Sequence, residues 1–240
     1  MLKVRVGHGE NLATFTVHQA ILRLRSEFFK CATGSVWQQD HDEHMVTLPD
    51  DDPEIFRLYI NLVYAGRLVT RGSDEWKKLC RLYVLAEKLQ DLTARNAIID
   101  GMHAFFSELV SKSALLFDIE GPIPSESSKE LYEGTPERSQ ARKLLVDLYA
   151  EFGKESWFRA SKIVLPYGLI RDVAVRLVQA RGSDILGSWI NRPSSYYHEV
   201  EVPGNSTTPA VVRTPKRTKT ASGCEEAEKS PAKAGQTMTK

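Results

Sequence analysis

Residues 15–29, Phe-Thr-Val-His-Gln-Ala-Ile-Leu-Arg-Leu-Arg-Ser-Glu-Phe-Phe, change periodicity midway, and that change constrains the fold more than any other stretch of the chain. Phe15 and Val17 alternate with Thr14 and Thr16, the period-two pattern of a half-buried strand. Ala20, Ile21 and Leu24 then recur at helical spacing, and Ser26 stands where a cap restarts a helix before Phe28 and Phe29. A strand running straight into two short helices creates a large apolar face over few residues. The next apolar segments, Met45–Leu48 and Ile55–Leu68, are placed to cover it.

The flanking sequence supports that arrangement. Leu2, Val4 and Val6 alternate with Lys3 and Arg5, and Gly7-His8-Gly9-Glu10-Asn11 is a turn, so residues 2–6 and 13–18 are expected to form a hairpin. Gly34 to Glu43 is polar and reads as a loop; Met45–Leu48 is a short strand ended by Pro49. Asp50, Asp51 and Asp52 supply a cap and favourable charge for a helix with Pro53 in its first position. Ile55, Phe56, Leu58, Tyr59, Leu62 and Val63 give that helix a wide apolar face, and Gly66 stops it. Ser73, Asp74 and Glu75 open another helix, carried on one face by Trp76, Leu79, Leu82, Tyr83, Ala86 and Leu89. A further helix spans 92–106, with Ala94, Ala97, Ile98 and Met102 inward.

This ordered series resembles the BTB (POZ) domain: Phe15-x-Val17-His18, Leu22, Ser26-Glu27-Phe28-Phe29, Val46-x-Leu48-x-x-Asp51-Asp52-Pro53-x-x-Phe56, Ile60 and Val63-Tyr64-x-Gly66. The resemblance implies an α+β core, a short β-sheet with a cluster of α-helices, and a role in binding proteins. It implies a structural part for His18, hydrogen-bonded at the strand-to-helix corner. In family members that recruit a cullin ubiquitin-ligase scaffold, an apolar residue stands two positions before a Glu; here that region reads Trp37-Gln38-Gln39, without the acid. Val36, Trp37, Gln38 and Gln39 are therefore the candidate partner-binding residues, with Trp37 as an aromatic anchor. Longer members exchange an additional N-terminal element between subunits; with nothing before Met1, such an exchange is not assumed. Leu131-Tyr132-Glu133-Gly134-Thr135 and Arg142–Asp147 are similar to the downstream half of fungal BTB proteins, a likeness that carries no activity with it.

The domain reading is a BTB/POZ-like core over 1–106, an α-helical extension over 107–190 and a disordered C-terminal tail over 191–240. Gly121-Pro122-Ile123-Pro124-Ser125 is an irregular connection. Beyond it, Ala141, Leu144, Leu145, Leu148 and Phe152 form one helical stripe, and Ile170, Val173, Ala174, Leu177 and Val178 another. The two stripes are expected to cover each other and the last helices of the core, with Trp157 and Phe158 plugging the junction. The tail loses periodicity, although Tyr196–Val202 alternates like a strand able to join a sheet edge.

Composition narrows the function classes. Hydrophobic residues make up 42% of 240, enough for a core, and a net charge of +1 gives no whole-molecule steering toward nucleic acid or membrane. Cys31, Cys80 and Cys224, without a leader sequence, read as reduced thiols of a cytoplasmic and/or nuclear protein. No phosphate loop, nucleophile elbow or His-Glu-x-x-His is present, so no catalytic residue, cofactor or metal is assigned. His41 and His44 lack the four-ligand pattern of structural zinc. Arg213, Lys216, Arg217 and Lys219 form a loose basic cluster with no interleaved aromatic to stack bases. The expected function is a non-catalytic interaction module whose partners are proteins, with a cullin or a second copy of the chain as candidates, and no small-molecule substrate, direct nucleic-acid contact or membrane.

Overall fold

The computed structural model describes residues 1–34, 45–70, 72–112, 123–159, 164–180 and 192–200, all within one compact unit, Met1–Asn205. Strand β1 (Leu2–Val6) is the middle of a three-stranded sheet ordered β2-β1-β3. It pairs antiparallel with β2 (Ala13–Val17), Val4 opposite Phe15, and parallel with β3 (Met45–Leu48), Val4 opposite Val46. Leu2, Val4 and Val6 all point into the core, as their alternation requires.

His18 ends β2 and leads directly into α1 (Gln19–Arg25); α2 (Glu27–Ala32) follows after Ser26 alone. The Ser26 hydroxyl accepts from the Phe29 amide at 3.2 Å, capping α2, and donates to the Leu89 carbonyl at 2.5 Å. Helix α3 (Pro53–Ala65) has Asp52 as its cap, accepting from the Glu54 amide at 2.8 Å, and ends at Gly66, whose φ of +64° is the left-handed conformation that glycine adopts without strain. Helices α4 (Glu75–Lys88) and α5 (Leu92–Lys112) complete the core. Their junction is fixed by Asp91, buried, which caps α5 through the Ala94 amide (2.8 Å), accepts from Tyr59 Oη (3.1 Å) and pairs with Arg25 (3.4 Å).

Beyond the core lie α6 (Ser125–Gly134), α7 (Gln140–Phe152), the short α8 (Glu155–Arg159) and α9 (Tyr167–Gln179). Helix α6 packs on α4, and α7 packs on α9. Ala141, Leu144, Leu145 and Leu148 face inward as the first stripe requires.

The structure departs from several expectations. Leu24 is 81% exposed; the apolar residue that α1 buries is Leu22, because the helix packs beside α2 and α3 along a face rotated from the Ala20–Leu24 line. Helix α5 continues past residue 106 to Lys112. Helix α6 has no strong apolar stripe in its sequence, yet it buries Ser127 and Ser128 together with Leu131 and Tyr132. In α9 the buried residues are Leu169 and Val173, whereas Ile170, Leu177 and Val178 remain exposed; apolar residues occur on two faces, and only one reaches α7. Of the two residues between the helices, Trp157 is buried against Tyr149 with ring centroids 5.7 Å apart, while Phe158 stays largely outside.

Residues 192–200, placed with the tail by their composition, lie against α5 and α7. Ser194–Tyr197 is a 3₁₀ turn and Tyr197 is fully buried. Among the described residues its segment has no strand partner; the backbone of Glu199 bonds instead to the Asn96 side chain.

Candidate interaction surface

The strand-to-helix corner holds its shape through His18 and Tyr64. The His18 amide donates to Tyr64 Oη at 2.9 Å, and the same oxygen lies 2.8 Å from His18 Nδ1. The histidine thus spends its backbone donor and one ring nitrogen on orienting α1 against α3, the structural part that the sequence implied.

That orientation presents the outer side of α1 to solvent. Gln19, Ala20, Arg23, Leu24 and Lys30 line an open notch of about 600 Å³. Arg23 is not a loose side chain: its Nη1 donates to both the carbonyl and the hydroxyl of Thr33, each at 2.9 Å. Thr33 in turn donates to the Phe29 carbonyl at 2.6 Å. An exposed leucine beside a fixed guanidinium and a lysine combines apolar contact with directional donors, a composition suited to a protein partner. Sequence reasoning missed Leu24 as a surface residue because its helical spacing matched a core pattern.

A second concavity, of about 530 Å³, lies where α6 meets α3 and α4. Ile55, Val84 and Leu85 form its apolar part; Asp50, Asp51, Asp52, Glu130 and Glu133 ring it. Much of the acid is internally matched. Arg81 makes a two-pronged contact with Glu130 at 2.8–3.2 Å and lies 3.7 Å from Asp52, and Lys88 pairs with Asp51 at 2.6 Å. The hydrogen bonds that Arg81 donates to Glu130 are the main cause holding its guanidinium above its usual pKa range. This cluster joins the core to the extension.

Val36, Trp37, Gln38 and Gln39 lie outside the described residues, as do His41, His44, Cys224 and the basic tail cluster. Cys80 is fully buried in α4, and burial pushes its thiol pKa strongly upward, so it packs as a small apolar residue. Among the described residues no group of three or more His, Cys, Asp or Glu is placed to hold a metal ion, and no helix is long and apolar enough to cross a membrane.

A three-stranded sheet under a cluster of helices describes an α+β domain. The family comparison agrees: the BTB/POZ domain model matches residues 4–99, so this part of the chain is a BTB/POZ domain. That domain supports protein–protein interaction, through protein partners or self-association. No curated protein matches the chain.

Proposed function

We propose that the chain is a non-catalytic scaffold or adaptor that holds a protein partner on the α1 side of its BTB domain. The observation that carries this reading is Leu24, 81% exposed on a helix whose orientation is fixed by His18 and Tyr64 and whose neighbouring Arg23 is anchored by Thr33. A large apolar side chain set rigidly in solvent among fixed donors gains from a partner's surface and contributes little to the fold itself. Crosslinking in the native cell followed by capture with wild type and with Leu24→Asp tests it. The variant is expected to unfold at the same temperature as wild type and to lose at least tenfold of the captured partner. Equal capture by both chains overturns the assignment.

A cullin is the first partner class to test, because the family resemblance puts Val36, Trp37, Gln38 and Gln39 at the recruiting loop. Binding to a purified cullin N-terminal region is the direct measurement. Gln39→Glu restores the acid and is expected to strengthen such a contact by about 1.5–3 kcal/mol, the worth of a charge-assisted hydrogen bond. A partner-dependent role in transcription, acting in the nucleus rather than the cytoplasm, is distinguished by following the chain's location after removal of residues 205–240.

A further inference from the structure

Residues 192–200 are held on the helical body by side-chain recognition rather than by secondary structure. Asn96, on α5, reads the main chain of Glu199 on both sides: its Oδ1 accepts from the Glu199 amide at 2.8 Å and its Nδ2 donates to the Glu199 carbonyl at 3.0 Å. Two side chains are then read individually. Tyr197 is fully buried and donates through Oη to Asp147 Oδ2 at 3.0 Å. Glu199 accepts from Tyr83 Oη at 2.7 Å and pairs with Arg95. Of the residues beside them, Val200 is 81% exposed, Tyr196 is about half exposed with Lys143 Nζ 3.8 Å from its ring centroid, and His198 Nε2 lies 2.7 Å from Asp100 on α5. Backbone atoms satisfied by a side-chain amide, with alternating side chains anchored in specific contacts, are how a domain recognises a peptide segment.

The seat is organised independently of its occupant. Asp147 is also held by Arg176 at 2.6 Å, Arg95 by Glu87 at 3.0 Å, and Tyr83 Oη receives a bond from Ser139 at 3.3 Å. Asp147, Arg95 and Tyr83 thus keep partners of their own when the segment leaves, so departure strands little buried charge and the seat keeps its geometry.

We propose that the surface formed by α4, α5 and α7 is a peptide-recognition site for the sequence Tyr-x-Glu, occupied in cis by residues 197–199, and that a partner's segment of the same chemistry takes their place. An attached segment competes at an effective concentration of roughly millimolar, so a trans ligand is seen weakly on the wild-type chain and clearly once the resident anchors are removed.

The test uses the full chain carrying Tyr197→Ala and Glu199→Ala, and a fluorescein-labelled synthetic peptide of residues 192–200, followed by anisotropy. The variant is expected to bind the peptide at least tenfold more tightly than wild type does. Adding Asn96→Ala, or replacing Tyr and Glu in the peptide, is expected to abolish binding. A variant that keeps its far-ultraviolet dichroism and cooperative unfolding but does not bind the peptide overturns the proposal. Should the variant fail to fold, hydrogen exchange on the wild-type chain decides. Amides of 196–199 that exchange well ahead of those of α5 and α7 show a segment that leaves its seat on its own and support the proposal; equal protection makes the segment part of the core and overturns it.

Discussion

Asp147 takes three donors at once: Arg176 Nε at 2.6 Å, Arg192 Nη1 at 2.9 Å and Tyr197 Oη at 3.0 Å. The carboxylate is buried and both arginines are mostly buried, so removing it leaves guanidinium charge without a counter-ion in a poorly solvated place. Asp147→Ala is expected to destabilise by about 3–5 kcal/mol, the range for breaking one side of a buried pair, read as a lowered urea midpoint. Glu199 behaves differently. Burial, the largest influence, raises its pKa above 4.5, against the lowering effect of Arg95 and Tyr83, and Glu87 nearby adds to the rise. A carboxyl whose pKa is higher docked than free takes up a proton on docking. Its contribution is therefore fully present below the free value and is lost as pH rises through the docked one. Amide protection of residues 196–199 is expected to increase as pH falls from 7 toward 5. Measuring it in a His103→Asn, His198→Asn background removes both histidine contacts of the segment, at the Arg192 carbonyl and at Asp100, and leaves Glu199 as the responding group.

The elements differ in how much of each was legible. The hairpin, the Ser26 restart, the Asp52-Pro53 start and the Gly66 stop all depend on neighbours within a few positions, and all appear as read. Ser26→Ala removes the α2 cap and the bond to Leu89 together and is expected to cost about 1–2 kcal/mol in thermal or urea unfolding. Helix α6 was hidden because its packing depends on smallness rather than greasiness. A Cβ on Gly134 would stand 2.4 Å from Val84 Cγ1, and a β-branched side chain has no free rotamer to yield. Gly134→Ala is expected to destabilise by about 1–3 kcal/mol, with recovery in the Gly134→Ala, Val84→Ala double variant. Helix α9 was misoriented because apolar residues on both faces give periodicity two solutions. Its buried side should dominate: Leu169→Ala is expected to cost about 2–5 kcal/mol, and Leu177→Lys less than about 0.5 kcal/mol in the same unfolding assay.

At the scale of the whole molecule, the BTB domain and the helices after it are joined twice. Arg81 and Glu130 bridge α4 to α6, and residues 192–200 bridge α4 and α5 to α7. A calorimetric scan of the chain is therefore expected to show one transition with matching calorimetric and van't Hoff enthalpies, and two separate transitions would refute that coupling. The second bridge was not legible. Tyr-Tyr-His-Glu-Val carries no helical period, and its partners, Tyr83, Asn96 and Asp147, are set more than forty positions away and come together only in the fold. The candidate loop at Val36–Gln39 was proposed from local composition and family likeness alone, and its place lies outside the described residues.

The sheet order has a consequence for how the domain tolerates damage. β2 and β3 are not neighbours; each is hydrogen-bonded to β1 and to no other strand among the described residues. A proteolytic nick near Gly7 that released Leu2–Val6 would strip both neighbours of their only ladder at one stroke, so trimming this end should abolish the domain outright instead of fraying it.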